Sequence, residues 1–272
     1  MVTTTLTYSY MNNPVVLIIP DIHGRQFYKN AISEAVDKNI EIVCLGDYLD
    51  PYFGDELHED GVFAPLKELV ELKESRPHIT HLLLGNHDCS YFYSRRVCPS
   101  RYDHENALRY HGFFRSNAQL FALFYDTCIA GKRFLFSHAG ITNRWLSAVG
   151  KGDLDITLQW LKTSLMEFCL NRTKNEIWDY LSHIGEDRGG KEMSGSIIWA
   201  DFFEHTDPKN QLSDSDVIQI VGHTQLNYNP VRVDDRLFCL DCREPFYIDS
   251  DGIVRYYHND KSIMDTDNFS IK

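Results

Sequence analysis

The sequence predicts an α/β fold with a mostly parallel sheet covered by helices. Three observations carry that expectation. Short apolar strands alternate with helical stretches through the N-terminal half. After Gln211 the chain turns strand-rich again. Strand after strand also ends in Gly, Asp, Asn or His, at the position where open α/β sheets build their sites.

Taken in order, the apolar run Val15–Ile19 reads as a buried strand that runs directly into Asp21 and His23. A helix is expected over Tyr28–Lys38, a strand over Ile42–Leu45, a helix over Phe63–Lys73 and a strand over His81–Leu84. That β–α–β–α–β order predicts parallel pairing. The stretch "FYDTCIAGKRFLFSHAG" reads as a hairpin with Gly131-Lys132 at its turn. From Thr142 to about Glu192, runs such as "LQWLKTSLMEFCL" repeat apolar residues at helical spacing, which predicts helical decoration or a small cap. The strands "VIQIVGHT", "VRVDDRLFCLDC" and "PFYIDSDGIVRYYH" follow, the last two turning at Asp-Asp and Asp-Gly. The tail beyond Asn259 is polar and expected to be loose. No repeat or low-complexity linker separates the two strand-rich parts, so one domain over residues 1–272 is expected.

With 272 residues, 43 % of them hydrophobic, the chain can bury a sizeable core. A net charge of −12 argues against non-specific nucleic-acid binding, which needs a basic surface. It leaves room for a small phosphorylated ligand, because a bound cation supplies positive charge locally. The opening "MVTTTLTYSYMNN" lacks the basic and apolar regions of a signal peptide, and no apolar run is long enough to span a membrane. Seven scattered cysteines suit a reducing compartment, so a cytoplasmic protein is expected. Cys239 and Cys242 have C-x-x-C spacing but no second pair, which gives no reason for a zinc or redox role. The acidic stretch Phe53–Gly61 reads as a solvated loop whose charge would disfavour polyanions.

The polar strand ends are the informative feature. "GDYLD" brings Asp47 and Asp50, "GNHD" brings Asn86, His87 and Asp88, "FSHAG" brings His138 and "VGHT" brings His223. A single histidine after a strand is ordinarily a hydrogen-bonded residue and nothing more. Five such strand ends in one chain form a set. Asp, Asn and His without Cys favour a hard or borderline divalent cation: Mn²⁺ first, with Fe, Zn, Co or Ni as alternatives. A carboxylate between two ligand sets can bridge two ions about 3.5–4 Å apart, the arrangement used for in-line displacement at phosphorus.

The ordered set "DIHG … GDYLD … GNHD … SHAG … GHT" resembles the calcineurin-like metallophosphoesterase superfamily. It is most similar to the phosphoprotein phosphatase branch, with bacteriophage lambda phosphatase and the diadenosine tetraphosphatases. "SIIWAD" (Ser196 to Asp201) resembles the family's Trp-containing segment, and "LFCLDC" (Leu237 to Cys242) its late Asp-bearing strand. The resemblance implies a sandwich of two mixed sheets flanked by helices, with two metals at the strand C-terminal ends. It implies Asp21, His23 and Asp47 on one metal, and Asp47, Asn86, His138 and His223 on the other. It casts His87 as the acid that protonates the leaving oxygen. Asp50 is its orienting partner, expected to raise the imidazole's pKa. Where many members carry a second histidine in the last motif this chain has Gln225, so a carbonyl oxygen or a water is expected there, with Gln225 and Asp241 as candidate metal or neighbouring groups.

One departure stands out. The phosphatase branch places an arginine after the second Asp of its loop, whereas this chain has Pro51. Arg25, Arg95, Arg96 and Arg243 are the candidates to hold phosphate instead. The resemblance thus implies attack of metal-bound hydroxide on phosphate monoesters, including phosphoserine or phosphothreonine. The substrate would be a phosphorylated small molecule or a phosphoprotein, with no membrane partner. A nucleotide phosphodiesterase or dinucleoside polyphosphate hydrolase is the enzymatic alternative. A catalytically inactive metal-binding scaffold is the alternative of another class.

Overall fold

The structure, a computed structural model, describes residues 13–55, 57, 59–93, 98–171, 176–213, 216–226 and 229–265. The chain begins β1 (Pro14–Ile19), α1 (Lys29–Asp37), β2 (Glu41–Cys44), α2 (Glu59–Ser75) and β3 (Thr80–Leu83). It continues α3 (Asn86–Phe92), α4 (Ala107–Ser116), the short β4 (Phe121–Ala122) and the hairpin β5 (Phe124–Ile129) with β6 (Lys132–Ser137). Then come α5 (Asn143–Val149), α6 (Leu154–Asn171), α7 (Ile177–Leu181) and α8 (Phe202–Thr206). The chain finishes with β7 (Val217–Val221), β8 (Val231–Val233), β9 (Leu237–Cys239), β10 (Phe246–Asp249) and β11 (Val254–Tyr256).

Two mixed sheets result. The first has the order β11-β10-β1-β2-β3-β4, parallel from β1 to β4, with β10 antiparallel to β1. The second has the order β5-β6-β7-β9-β8, parallel through β6, β7 and β9. The continuous apolar runs of the N-terminal strands follow from burial on both faces. Val16 and Ile18 of β1, Val43 and Leu45 around β2, and Leu83 of β3 point into a cluster shared with Phe134, Phe136, Ile220 and Phe238 of the second sheet. Their alternate neighbours Leu17, Ile19, Ile42, Cys44 and Leu82 face the helices. Trp145, Leu158, Leu161 and Trp178, from α5, α6 and α7, join that same helical-side cluster.

The structure corrects several sequence expectations. The β5–β6 turn is Ala130-Gly131, one residue earlier than expected, since Ile129 pairs with Lys132. Both turn residues take positive φ, 52° and 76°, as a two-residue turn matched to strand twist demands. Helix α2 starts at Glu59 and so takes up the end of the acidic stretch expected as loop. Three helices went unforeseen, α3, α4 and the five-residue α8. Helix α3 is buried on every side, so it lacks the polar face that makes a helical period visible. Helix α4 does bury Ala107, Tyr110 and Phe114 at helical spacing. Part of the expected loose tail is ordered, with Ile263 in the inter-sheet core. The rest of it lies outside the described residues.

Candidate metal centre

Each sheet delivers its polar residues from the C-terminal ends of parallel strands. Asp21 and His23 follow β1, Asp47 follows β2, Asn86 opens α3 after β3, His138 follows β6, and His223 follows β7. The chain must turn sharply there, and His23, Asp47, Asp50 and His223 all adopt left-handed φ values of 47°, 50°, 59° and 66°. Such backbone is uncommon for residues with a side chain and concentrates at functional sites. Close approach explains two glycines. A side chain at Gly222 would run into the Asp21 carboxylate, and one at Gly85 into that of Asp47.

The sequence-predicted donors converge. Asp21, His23 and Asp47 bring ligand atoms within 4.8 Å of one another, and so do Asp47, His138 and His223. Asp47 belongs to both sets. Its Oδ2 stands 3.7 Å from His23 Nε2 and 3.5 Å from His138 Nε2. His138 Nε2 is also 3.0 Å from Asn86 Oδ1 and 3.1 Å from His223 Nδ1. The outer nitrogens explain which ring atoms face inward. His23 Nδ1 donates to the Leu49 carbonyl at 2.8 Å, and His138 Nδ1 to the Leu45 carbonyl at 2.9 Å. A carbonyl only accepts, so each Nδ1 carries the proton and each Nε2 presents a lone pair to the centre.

The electrostatics describe a nest of acceptors. Burial pushes the Asp21 and Asp47 carboxyls up, reinforced by Asp241 for the first and by Asp21 for the second. Burial lowers His23 and His223, and takes His138 down to about 3, so these rings are neutral. Neutral imidazoles, carboxylates and an amide oxygen, all buried and turned on one another, form the donor set of divalent cations. The residues present therefore fit the two-metal group that the resemblance implies.

Beside the cluster, His87 Nδ1 lies 2.6 Å from Asp50 Oδ2, and Tyr91 donates its hydroxyl to Asp50 Oδ1 at 2.5 Å. The amide of Asp103 donates to Tyr91 Oη at 2.8 Å and fixes it in turn. His87 departs from expectation in one respect. Its pKa is lowered, because burial and the nearby Arg101 outweigh Asp50.

Other residues of the site were given no role by the sequence reading. Asp88 accepts the backbone amides of Asp47, Tyr48 and Gly85 at 2.7, 3.0 and 2.9 Å, which ties the two loops together. The bond to Gly85, three residues back, is the acidic half of a capping box and was legible. Tyr91 follows His87 by one helical turn. Arg188 donates to Thr224 Oγ1 at 2.8 Å and pairs with Asp201 at 2.5 Å, beside His223. Arg101 reaches 3.4 Å from His87 Nε2, out of a loop with no sequence signal.

The remaining candidates divide. Asp241 is fully buried near Asp21, with both oxygens unpartnered; burial pushes it up to about 7 against Arg25, Arg243, Arg188 and Arg101. Gln225 is exposed, and no contact joins it to the cluster among the described residues. Arg25 pairs with Asp55 at 2.8 Å, and Arg243 is exposed. Arg95 and Arg96 lie outside the described residues.

Comparison with known proteins agrees with this geometry. The family model for calcineurin-like phosphoesterases matches residues 14–225, a span holding every donor from Asp21 to His223. Among solved structures, the fold is similar to the cold-active protein-tyrosine phosphatase of a psychrophile Shewanella species, with a TM-score of 0.57 at 15 % identity over 92 % of this chain and 81 % of that one. A further structure of a cold-active protein tyrosine phosphatase gives 0.55 at 16 % identity, over 92 % and 79 %. No curated protein matches the sequence. Family match and converging donors together place this chain in the calcineurin-like phosphoesterase family, as a metallophosphoesterase that hydrolyses phosphoester bonds.

Proposed function

We propose that the protein hydrolyses phosphate monoesters, phosphoserine and phosphothreonine among them, with two divalent ions of which Mn²⁺ is the first candidate. The observation that carries this reading is the position of Asp47 Oδ2 between the inward nitrogens of His23 and His138. Asp21, His23 and Asp47 would hold one ion; Asp47, Asn86, His138 and His223 the other. A bound pair lowers the pKa of water and neutralises phosphoryl oxygens.

The chain's own residues do the rest. The Leu45 and Leu49 carbonyls fix the two rings, so that their lone pairs are oriented before any ion arrives. His87 Nε2 delivers a proton to the leaving oxygen, while Asp50 holds the opposite ring nitrogen and stabilises the charged form. An anionic substrate raises the proton affinity that burial has lowered. Tyr91 keeps Asp50 from rotating away. In this reading the whole chain acts as one catalytic domain. A cytoplasmic setting is supported by its seven free cysteines. Among the described residues no helix is long and apolar enough to cross a membrane.

Pro51, in place of the expected arginine, favours a second reading as a nucleotide phosphodiesterase or dinucleoside polyphosphate hydrolase. One assay separates the classes. With Mn²⁺, hydrolysis of para-nitrophenyl phosphate but not of its bis-ester supports the monoesterase. The reverse supports the second reading, and inertness toward both points to a scaffold.

A further inference from the structure

The arginine expected after Asp50 is Pro51, yet the next residue stands among arginines. The guanidinium carbons of Arg101, Arg25 and Arg243 lie 3.8, 4.6 and 5.4 Å from the centre of the Tyr52 ring. Three cations around one neutral ring repel each other unless an anion joins them. Asp55 answers Arg25, and water answers the exposed Arg243. Arg101 is placed differently. Like Arg25 it is half-buried and has a terminal nitrogen shielded from water without a hydrogen-bond partner, but unlike Arg25 it has no carboxylate at ion-pair distance among the described residues. A buried donor left unpaired costs free energy until a ligand supplies an acceptor.

Its surroundings indicate what that ligand is. Nη2 reaches 3.4 Å from His87 Nε2, the atom that would protonate a leaving group. The Tyr52 ring below it lies 4.6 Å from the ring of His23, a proposed metal donor. The backbone of Arg101 is held at a φ of 68°, an unfavourable conformation for a residue with a side chain. The guanidinium thus stands over Tyr52 and beside His87, with Nη1 unsatisfied.

We propose that Arg101 is the phosphate clamp of this enzyme, donating to the non-bridging oxygens of a phosphoryl group seated between the metal donors and His87, in place of the arginine absent at position 51. This rests on the phosphoesterase reading of the site. The planar fork of arginine suits two phosphoryl oxygens at once, which a lysine cannot match. Tyr52 is the positioning residue, carrying the guanidinium through a cation–π contact. An arriving phosphoryl oxygen takes the place of the 3.4 Å contact to His87, so that the freed Nε2 lone pair takes up a proton from water and passes it to the leaving oxygen.

The test titrates inorganic phosphate into the Mn²⁺-loaded full chain by calorimetry. Arg101→Ala should weaken phosphate binding by about tenfold or more with its manganese content unchanged. Arg101→Lys keeps bulk and charge, folds if the alanine variant does not, and should recover only part of the binding. Added guanidinium chloride should restore part of the kcat/KM of Arg101→Ala. Arg133→Ala, whose partners are Asp126 and Asp155 on another face, should bind phosphate as the wild type does. Wild-type binding in both Arg101 variants, or loss confined to Arg25→Ala or Arg243→Ala, overturns the clamp. Turnover by the wild type judges the functional reading separately. An inactive wild type that still binds phosphate through Arg101 sinks that reading and leaves the clamp standing.

Discussion

The imidazole of His87 and the carboxylate of Asp50 meet at 2.6 Å, although 37 residues separate them, and both are almost wholly buried. The contact commits Nδ1 to Asp50 and leaves Nε2 on the side of Arg101, with the ring centre 5.1 Å from that of His23. In the proposed role Nε2 carries the proton meant for the leaving oxygen, and while protonated it has no lone pair to offer a metal.

His87→Ala should therefore keep its metal and lose turnover by about 10²–10⁴-fold, the usual contribution of a general acid. The loss should be larger on an alkyl phosphate, whose leaving oxygen needs a proton, than on para-nitrophenyl phosphate. Metal content by plasma emission and kcat on both substrates decide the matter. Equal metal loss in His87→Ala and Asp47→Ala refutes the assignment.

Asp47 serves both donor sets, and His23 only one. Asp47→Ala should abolish binding of both ions, whereas His23→Ala should retain the ion held by Asn86, His138 and His223. Stoichiometry by competition with a chelator separates the two variants, and a full complement in Asp47→Ala contradicts the bridge. Since the ligands must be unprotonated, metal affinity should rise with pH.

Asp88 touches no substrate in this scheme, yet its carboxylate accepts three backbone amides from two loops. Asp88→Asn puts an N–H where an acceptor is required. The variant should lose roughly 2–4 kcal/mol of stability through unsatisfied amides, read from its urea midpoint. Its metal affinity should fall as well, because the Asp47 loop loses its anchor. Unchanged stability would remove Asp88 from this role.

His205 gives a test in pH. Its Nε2 donates to the Ala139 carbonyl at 3.0 Å, and burial lowers its pKa to about 4. In the unfolded chain a histidine titrates near 6.5. Between these values the unfolded state binds a proton that the folded state refuses. The stability carried by neutral His205 is thus fully present above pH 6.5 and is lost as pH falls toward 4. In metal-free protein, His205→Gln should flatten the stability curve across that interval by no more than roughly 3 kcal/mol. Parallel urea-derived curves for the two proteins contradict this.

Much of the N-terminal sheet was legible, because β1, β2 and β3 carry apolar runs buried on both faces, and such runs are local signals. The donors were legible for a related reason. Asp21, His23, Asp47, Asn86, His138 and His223 each follow the end of an apolar strand with a residue that resists burial, and the resemblance supplied the metal role. Helix α3 was hidden by its complete burial, and the β5–β6 turn was misplaced by one residue because Ala130 gives no sign of its left-handed φ. Arg101, Arg188 and Asp88 went unassigned, since an arginine in a loop and an aspartate at a helix start are common everywhere.

The sequence by itself supplied the apolar strands, the polar residue types at their ends and, through their resemblance to a known family, the expected sandwich, since residue type and local period are written in short windows. The tertiary structure alone decided that β10 and β11 return to flank β1, that Asp47 stands between His23 and His138, and that Arg101 lies over Tyr52 beside His87. Those are relations between residues far apart in the chain. They are set by how two sheets stack and how buried loops satisfy their polar groups, and no short window of sequence records them.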